Sequence, residues 1–387
     1  MQQREYLVKL RDLNTQYHAL SSEIDNAIAR VIQSSCFIGG LEVNRLERSL
    51  AEYVGVKHCI TCGNGTDALQ LALMAWNIGP GDAVIVPDFT FVSSAEVVSA
   101  SGATPVFVDV LEDSFNINGL QIDLAVETAI NNGLNPKAII AVDLFGLPAN
   151  YSLIKKYCKK HRLLLLEDGA QGFGGTIEEQ KACSFGDIST TSFFPAKPLG
   201  CYGDGGAVFT NNDKWATLIR SYATHGKGAT KYDSSRIGIN SRLDAIQAAI
   251  LQVKLQAFSN HEINDVSIRA AWYTKALAKS PLMLPEVPEN MTSSWAQYTV
   301  RVPEILDRNT LQTALKQQNI PSMIYYPKPL HKQEAFRNNC ITIPGGYPIT
   351  ERLCRTVLSL PIGPYFSHKD CMLVLRAISN FLENRII

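Results

Sequence analysis

One lysine stands in an apolar, glycine-rich stretch running Thr190-Thr191-Ser192-Phe193-Phe194-Pro195-Ala196-Lys197-Pro198-Leu199-Gly200-Cys201-Tyr202-Gly203-Asp204-Gly205-Gly206. Desolvating an ammonium lowers its pKa and frees the amine. A free amine forms and exchanges imines. Ser192, five residues earlier, could give its hydroxyl to a phosphate. Taken alone, Lys197 also reads as a snorkelling side chain with its stem on apolar surface and its head in water. A second segment, Leu163 to Leu166 followed by Glu167-Asp168-Gly169-Ala170-Gln171, is a buried strand ending in acids. A carboxylate at that end could keep a pyridine nitrogen protonated, or could simply cap a following helix. A third, Gly63-Asn64-Gly65-Thr66-Asp67-Ala68-Leu69, has the make-up of a phosphate cup. Glycine lets backbone approach a ligand, Thr66 can cap the next helix, and free N–H groups at a helix start favour an anion. The same residues also suit an ordinary capped strand-to-helix turn.

Positioning these residues requires a scaffold, and the flanking sequence describes one. From about residue 57, short apolar runs alternate with helical patterns: KHCITC then TDALQLALMAW, DAVIVP then SSAEVVSAS, TPVFVDV then DLAVETAIN, KAIIAVDLFG then YSLIKKYCKKH, and finally LLLLED. Strands recurring after every helix run mostly parallel, which predicts an α/β sheet covered by helices. Ligands lie at the carboxyl ends of such strands. Beyond Gly206 come a strand in GGAVFTNND and a long helical stretch from about Leu243 to Ala278, read as a hinge between domains. Then follow strand-like SWAQYTVRV, a helix near LQTALKQQ, the proline-rich YYPKPLHKQ and a last helix in DCMLVLRAISNFLENR. We expect a large domain over residues 1–258 and a smaller α+β domain over 259–387.

Bulk composition excludes several classes. Lys plus Arg (36) equals Asp plus Glu (36), so no positive surplus draws the chain onto nucleic acid or an anionic membrane. The opening MQQREYLVKLRDLNTQYHAL lacks an apolar signal region, and no run of about 18 apolar residues follows, so a cytoplasmic location is expected. Nine cysteines are too few and unevenly numbered for a disulfide framework. Cys59 and Cys62 form a lone C-x-x-C without two further ligands, so no metal is expected and both read as small buried strand residues.

The three segments occur together, in the order cup, strand-end aspartate, lysine. With them stand GNGTDALQLAL, VPDFTFVSSAEVV, GATPVFVDV, EDGAQGFGG, SFFPAKPLGCYGDGGAVFTNND, NSRLDAIQAAIL and YYPKPLHKQEAF. On these seven motifs the chain resembles the DegT/DnrJ/EryC1/StrS family of sugar aminotransferases along nearly its whole length. The resemblance implies the type I aminotransferase fold and pyridoxal 5'-phosphate as cofactor. It implies that Lys197 carries the cofactor as an imine and moves protons. By the same resemblance, Asp168 partners the pyridine nitrogen and Gln171 lies beside the phenolic oxygen. Gly65, Thr66 and Ser192 contact the phosphate, and Phe91 stacks on the ring. Asn240 and Arg242 are implied to come from the neighbouring subunit, to the phosphate and to a substrate carboxylate. A two-fold homodimer with shared active sites is thereby expected, with glutamate as amino donor. From the residues alone, Phe91 also suits a core, and Arg242 an ion pair with Asp244.

The resemblance is nearest to the branch acting at C3 of a UDP-linked 2-acetamido-3-keto hexuronic acid for bacterial surface polysaccharide such as O-antigen. Members of that branch carry His where this chain has Tyr325, next to Tyr326, and both tyrosines are taken as substrate contacts. A tyrosine can donate one hydrogen bond but cannot become cationic near neutral pH. A neutral 3-keto or 4-keto nucleotide sugar therefore stands as the alternative. A dehydratase of the same fold is disfavoured because that branch replaces the imine lysine. A regulatory protein is disfavoured because the catalytic set is complete and no helix-turn-helix segment is discernible. His331 is read as a loop or substrate-rim residue, with a structural histidine as the alternative.

Overall fold

The computed structural model describes residues 6–230 and 232–383. Met1 to Glu5 of the opening segment, and Asn384 and Arg385 of the last expected helix, lie outside the described residues. Two N-terminal helices, α1 (Leu13–Ser34) and α2 (Gly40–Val54), precede a run of alternating strands and helices. These are β1 (His58–Cys62), α3 (Gly65–Ala75), β2 (Asp82–Pro87), α4 (Ser93–Ala100), β3 (Thr104–Val108), α5 (Ile122–Asn131), β4 (Asn135–Val142), α6 (Tyr151–His161) and β5 (Leu164–Asp168). Two-residue strands β6 (Thr176–Ile177) and β7 (Gln180–Lys181) lead to β8 (Ile188–Ser192), β9 (Gly206–Thr210) and α7 (Asp213–Tyr222).

Eight strands form the main sheet in the order β1-β9-β8-β5-β4-β2-β3-β12, where β12 is Ile341–Thr342. Strand β9 is antiparallel to both neighbours, and the other five pairings are parallel. The carboxyl ends of β1, β2, β5 and β8 therefore share one edge of the sheet, which is where the three chemically loaded segments begin. Ala83 to Val86 of β2 and Ala138 to Ala141 of β4 are wholly buried. Such continuous apolar runs suit strands covered by helices on both faces. Cys59 and Cys62 are buried on β1.

The expected long helix forms as α8 (Ala245–Ala257) and α9 (Ile263–Leu277), joined without a break by a π-helical turn over Phe258–Glu262. A second apolar core gathers α9, α10 (Arg308–Gln317) and α12 (His368–Glu383) on the antiparallel pair β11 (Tyr298–Arg301) and β13 (Val357–Leu360). Strand β10 (Met291–Thr292) pairs with β6. Between β11 and β13 the chain returns to the main sheet. Leu330, Phe336, Ile343, Tyr347 and Leu353 of α11 (Pro348–Thr356) pack on the first core, and β12 extends that sheet beside β3. This return places the YYPKPLHKQ segment at the sheet's carboxyl edge.

Candidate active site

Asp168 ends β5 and is buried. Its Oδ2 accepts from the Ser94 hydroxyl at 2.8 Å and its Oδ1 from the Ala170 N–H at 3.2 Å. Burial pushes this carboxyl above the usual range, while those two donors and the nearby Lys197 ammonium oppose the shift. Burial pushes Lys197 below the usual lysine value, opposed by Asp168. Lys197 keeps an intermediate exposure although it is densely surrounded. The amine is thus reachable and desolvated together, which is what imine exchange needs.

The cup follows β1. Asn64 has extended backbone and caps α3, accepting the Asp67 N–H at 2.8 Å. The cap is Asn64, two residues before the Thr66 expected from the sequence. Thr66 lies inside the first turn, and its hydroxyl bonds that of Ser93 at 2.7 Å. A Cβ on Gly65 would come 2.7 Å from the Ser192 Cβ, so only glycine allows α3 to start against the end of β8. The Ser192 oxygen accepts the Phe194 N–H at 3.2 Å, leaving its hydrogen free to donate. Gly65, Thr66 and Ser192 therefore meet around one helix N-terminus, the arrangement an anion favours.

Gln171 is buried, accepts the Phe145 N–H at 2.7 Å and donates to the Tyr326 hydroxyl at 3.3 Å. Burial raises the Tyr326 phenol well above its ordinary value. Phe91 is 51 % exposed with its ring 6.2 Å from that of Tyr326, while Phe89 is the buried member of the pair. Phe91 is thus not a core residue. Tyr325 is half-buried beside Tyr326, with ring centroids 5.8 Å apart. His331 anchors this segment: its backbone N–H and Nδ1 lie 2.8 and 2.6 Å from the two oxygens of the buried Asp88 at the end of β2. The structural alternative accounts for His331.

Asn240 and Arg242 are exposed, and no ion pair or hydrogen bond of the Arg242 side chain, to Asp244 or otherwise, occurs among the described residues. Ser241 between them is buried, donating to Asp67 Oδ2 at 2.6 Å and accepting the Gly63 N–H at 2.9 Å. This segment is therefore fastened to the cup while its two flanking polar side chains stay free. Ser93, Ser94 and Ser241 were not singled out from the sequence. The paired serines opening the SSAEVV helix were the one available signal.

Behind Asp168 lies a second acid pair. Glu167 accepts from the backbone N–H groups of Cys183, Phe185 and Gly186 and from the Ser189 hydroxyl. Asp143 accepts through Oδ1 from Ala149 N and Tyr151 Oη, but its buried Oδ2 has no donor and meets Glu167. Two carboxylates cannot bond unless one keeps a proton. Burial raises both acids, and the donors crowding Glu167 leave the proton on Asp143. Asp143→Asn is accordingly expected to change unfolding free energy by less than about 1 kcal/mol, since an amide also donates there. Glu167→Gln turns an amide toward existing donors and should cost about 2–4 kcal/mol. Denaturant unfolding of both variants checks this asymmetry, and equal costs would contradict it.

Comparison with known proteins bears on the whole of this arrangement. Residues 18–379 match the model of the DegT/DnrJ/EryC1/StrS aminotransferase family. The chain belongs to this family. A UDP-2-acetamido-2-deoxy-3-oxo-D-glucuronate aminotransferase of Pseudomonas aeruginosa is 39 % identical, over 97 % of this chain and 100 % of the relative. A UDP-N-acetyl-3-dehydro-alpha-D-glucosamine 3-aminotransferase of Acidithiobacillus ferrooxidans is 41 % identical, over 97 % and 98 %. A solved aminotransferase of the same family from Brucella abortus superposes with a TM-score of 0.93 at 46 % identity, over 97 % of this chain and 99 % of that one. The chain is thus an aminotransferase of the type I fold dependent on pyridoxal phosphate.

The residues present fit that cofactor. The start of α3, held against Ser192 by Gly65, offers N–H groups to a phosphate, the uncovered Phe91 ring offers a stacking face, and the desolvated Lys197 amine lies near a buried acid. No helix among the described residues is long and apolar enough to cross a membrane.

Proposed function

We propose that this aminotransferase moves an amino group from glutamate to C3 of a UDP-linked 2-acetamido-3-keto hexuronic acid, a cytoplasmic step toward bacterial surface polysaccharide. The observation that carries the reading is that Lys197, after β8, lies within electrostatic reach of Asp168, at the end of the adjoining β5, each shifted by burial toward its neutral form. The names of both relatives support position 3 of a UDP-linked acetamido sugar, the Pseudomonas name supporting the uronate and the Acidithiobacillus name a neutral glucosamine. When bound, pyridoxal phosphate supplies the electron sink that lets an amino group leave one carbon and join another.

This chain's residues divide the remaining work. The Gly65 N–H and the Thr66 and Ser192 hydroxyls hold the phosphate, and Phe91 packs on the ring. Asp168 would keep a proton on the pyridine nitrogen and Gln171 would lie beside the phenolic oxygen, with Tyr326, bonded to Gln171, and Tyr325 toward the substrate. Lys197 Nζ would be the base that takes a proton from the donor carbon and, in the second half-reaction, the acid that gives one to the acceptor carbon. Arg242 grips the glutamate carboxylate with two parallel hydrogen bonds, and Asn240 reaches the phosphate, both across a two-fold dimer. Both side chains are exposed and make no hydrogen bond or ion pair among the described residues, which supports that assignment.

The dimer reading has a direct test. Lys197→Ala and Arg242→Met are each expected to be inactive alone. Mixing and re-pairing them should restore about a quarter of wild-type activity, because half the re-paired two-fold dimers would hold one intact site of two. No recovery would place both residues in a single subunit's site. A second substrate reading, a neutral 3-keto sugar, is favoured by Tyr325, which cannot pair ionically with a uronate and whose hydroxyl burial pushes further from ionising. Recovery of the visible absorbance of glutamate-bleached enzyme separates the readings. Return with the UDP-linked 3-keto uronate supports the proposal, and return only with the neutral 3-keto or a 4-keto sugar overturns it.

A further inference from the structure

The loop bearing Lys197 has few hydrogen bonds of its own. Pro195 and Pro198 lack N–H groups, and the loop closes through Lys197 N to Phe194 O at 2.9 Å and Cys201 N to Phe193 O at 2.8 Å. A Cβ on Gly200 would come 2.5 Å from the Pro195 carbonyl oxygen, so the loop is folded tightly on itself. Gln247 Oε1 accepts the Tyr202 N–H at 2.8 Å at the loop's far end, and a second distant side chain reaches the turn beside Lys197. Arg11 Nη2 donates to the Pro198 carbonyl at 3.1 Å, across 187 residues.

Arg11 stands where three elements meet. Just before it, Leu7 N–H bonds the Asn319 carbonyl at 3.0 Å, Val8 is buried in the second core, and the Leu10 carbonyl accepts the Ile362 N–H at 3.1 Å. Just after it, Asp12 caps α1, accepting the Thr15 N–H at 3.0 Å. Burial brings the guanidinium down to about 10, opposed by Glu262, so it stays cationic at neutral pH. Glu262 makes no ion pair with it and instead accepts from Gln16 Nε2 at 2.9 and 3.1 Å. A half-buried cation without a direct counter-ion carries a desolvation cost, and it is retained here on a backbone carbonyl next to Lys197.

We propose that Arg11 is a positioning residue for Lys197, tying the loop that carries the amine to the C-terminal core through the Pro198 carbonyl. The inference rests on the reading of Lys197 as the residue that carries the cofactor. Its test begins without the cofactor, so the two can fail separately. In the apo protein, Arg11→Met is expected to speed amide hydrogen exchange over residues 194–200 about tenfold, the scale of one lost charge-assisted bond. Arg11→Lys, which keeps a charge and a donor, should hold exchange near wild type. Lys254→Met is the control. Lys254 is buried in the same cluster, over the ring of Tyr202 at 4.9 Å just beyond that window, and its loss should leave exchange over residues 194–200 unchanged.

In the loaded enzyme, Arg11→Met should lower kcat about tenfold with KM for glutamate within about twofold, and move the pH midpoint of the visible absorbance. A folded Arg11→Met protein with wild-type exchange, or with fast exchange and unchanged kcat, overturns the proposal. Equal acceleration by Lys254→Met also overturns it. Should Arg11→Met fail to fold, Arg11→Lys and Arg11→Gln decide the matter, with slow exchange expected for lysine and fast for glutamine. Equal exchange in those two overturns it, whereas absence of transamination in wild type would indict the reading of Lys197 instead.

Discussion

Replacing Lys197 with alanine is expected to lower kcat for amino transfer about 10⁴-fold or more, while leaving the fold intact. The size follows from the two jobs that converge on one amine. Covalent capture of the cofactor is lost, and so is the proton carrier, a role worth about 10²–10⁴ in rate by itself. The fold should survive because the folded protein holds this ammonium below its ordinary pKa. A cation lowered in this way binds its proton less tightly when folded, so below its unfolded pKa the charge works against stability. Alanine removes that opposition. Single-turnover kinetics and a thermal unfolding curve on the same preparation check both halves. A Lys197→Ala protein that transfers amines within tenfold of wild type would refute the assignment.

Asp168→Asn is the second large effect, with kcat expected to fall about 10²–10³-fold, equivalent to about 3–4 kcal/mol of lost charge stabilisation. Asparagine keeps an acceptor for the Ala170 N–H and turns its NH2 toward the Ser94 hydroxyl, which can rotate to accept, so geometry is preserved while the charge that would hold a ring proton is gone. The stability change should have the opposite sign. Burial raises the folded pKa of Asp168 above its unfolded value. The folded protein then binds that proton more tightly, and apo stability falls as pH rises from the unfolded toward the folded pKa. At neutral pH the asparagine variant escapes this loss and should unfold no earlier than wild type. A site acid that opposes stability and supports chemistry is the trade expected of a functional residue. Loss of stability together with activity would instead make Asp168 a structural acid.

The sheet was legible because its strands are continuous apolar runs and its helices have a 3.6-residue period. That pattern gave β1 to β5 and α3 to α6 in order, and with them the strand ends where chemistry could sit. Helix α1 was not legible. It buries only Gln16, Ile24, Ala27 and Val31 among its 22 residues, too sparse a stripe to read beside scattered charges. Strand β12 is two residues long and exists only because β3 offers an edge. Lys197, Asp168 and the cup were visible as residue types out of place: a lysine among apolar neighbours, an acid closing a buried strand, glycines before a helix. The helix cap went to Asn64 over Thr66 because its extended backbone aims the side chain at the Asp67 N–H. Contacts made only on folding, such as Ser94 with Asp168, Ser241 with the cup and Asp143 with Glu167, join residues 74, 174 and 24 positions apart. No local spacing could show them.

The most direct test of the account is to load the protein with pyridoxal phosphate, reduce it with borohydride, and locate the labelled peptide by mass spectrometry. The account predicts one labelled site per chain, on the peptide containing Lys197. Label on another lysine, or none on a protein that still transfers amines, would contradict it.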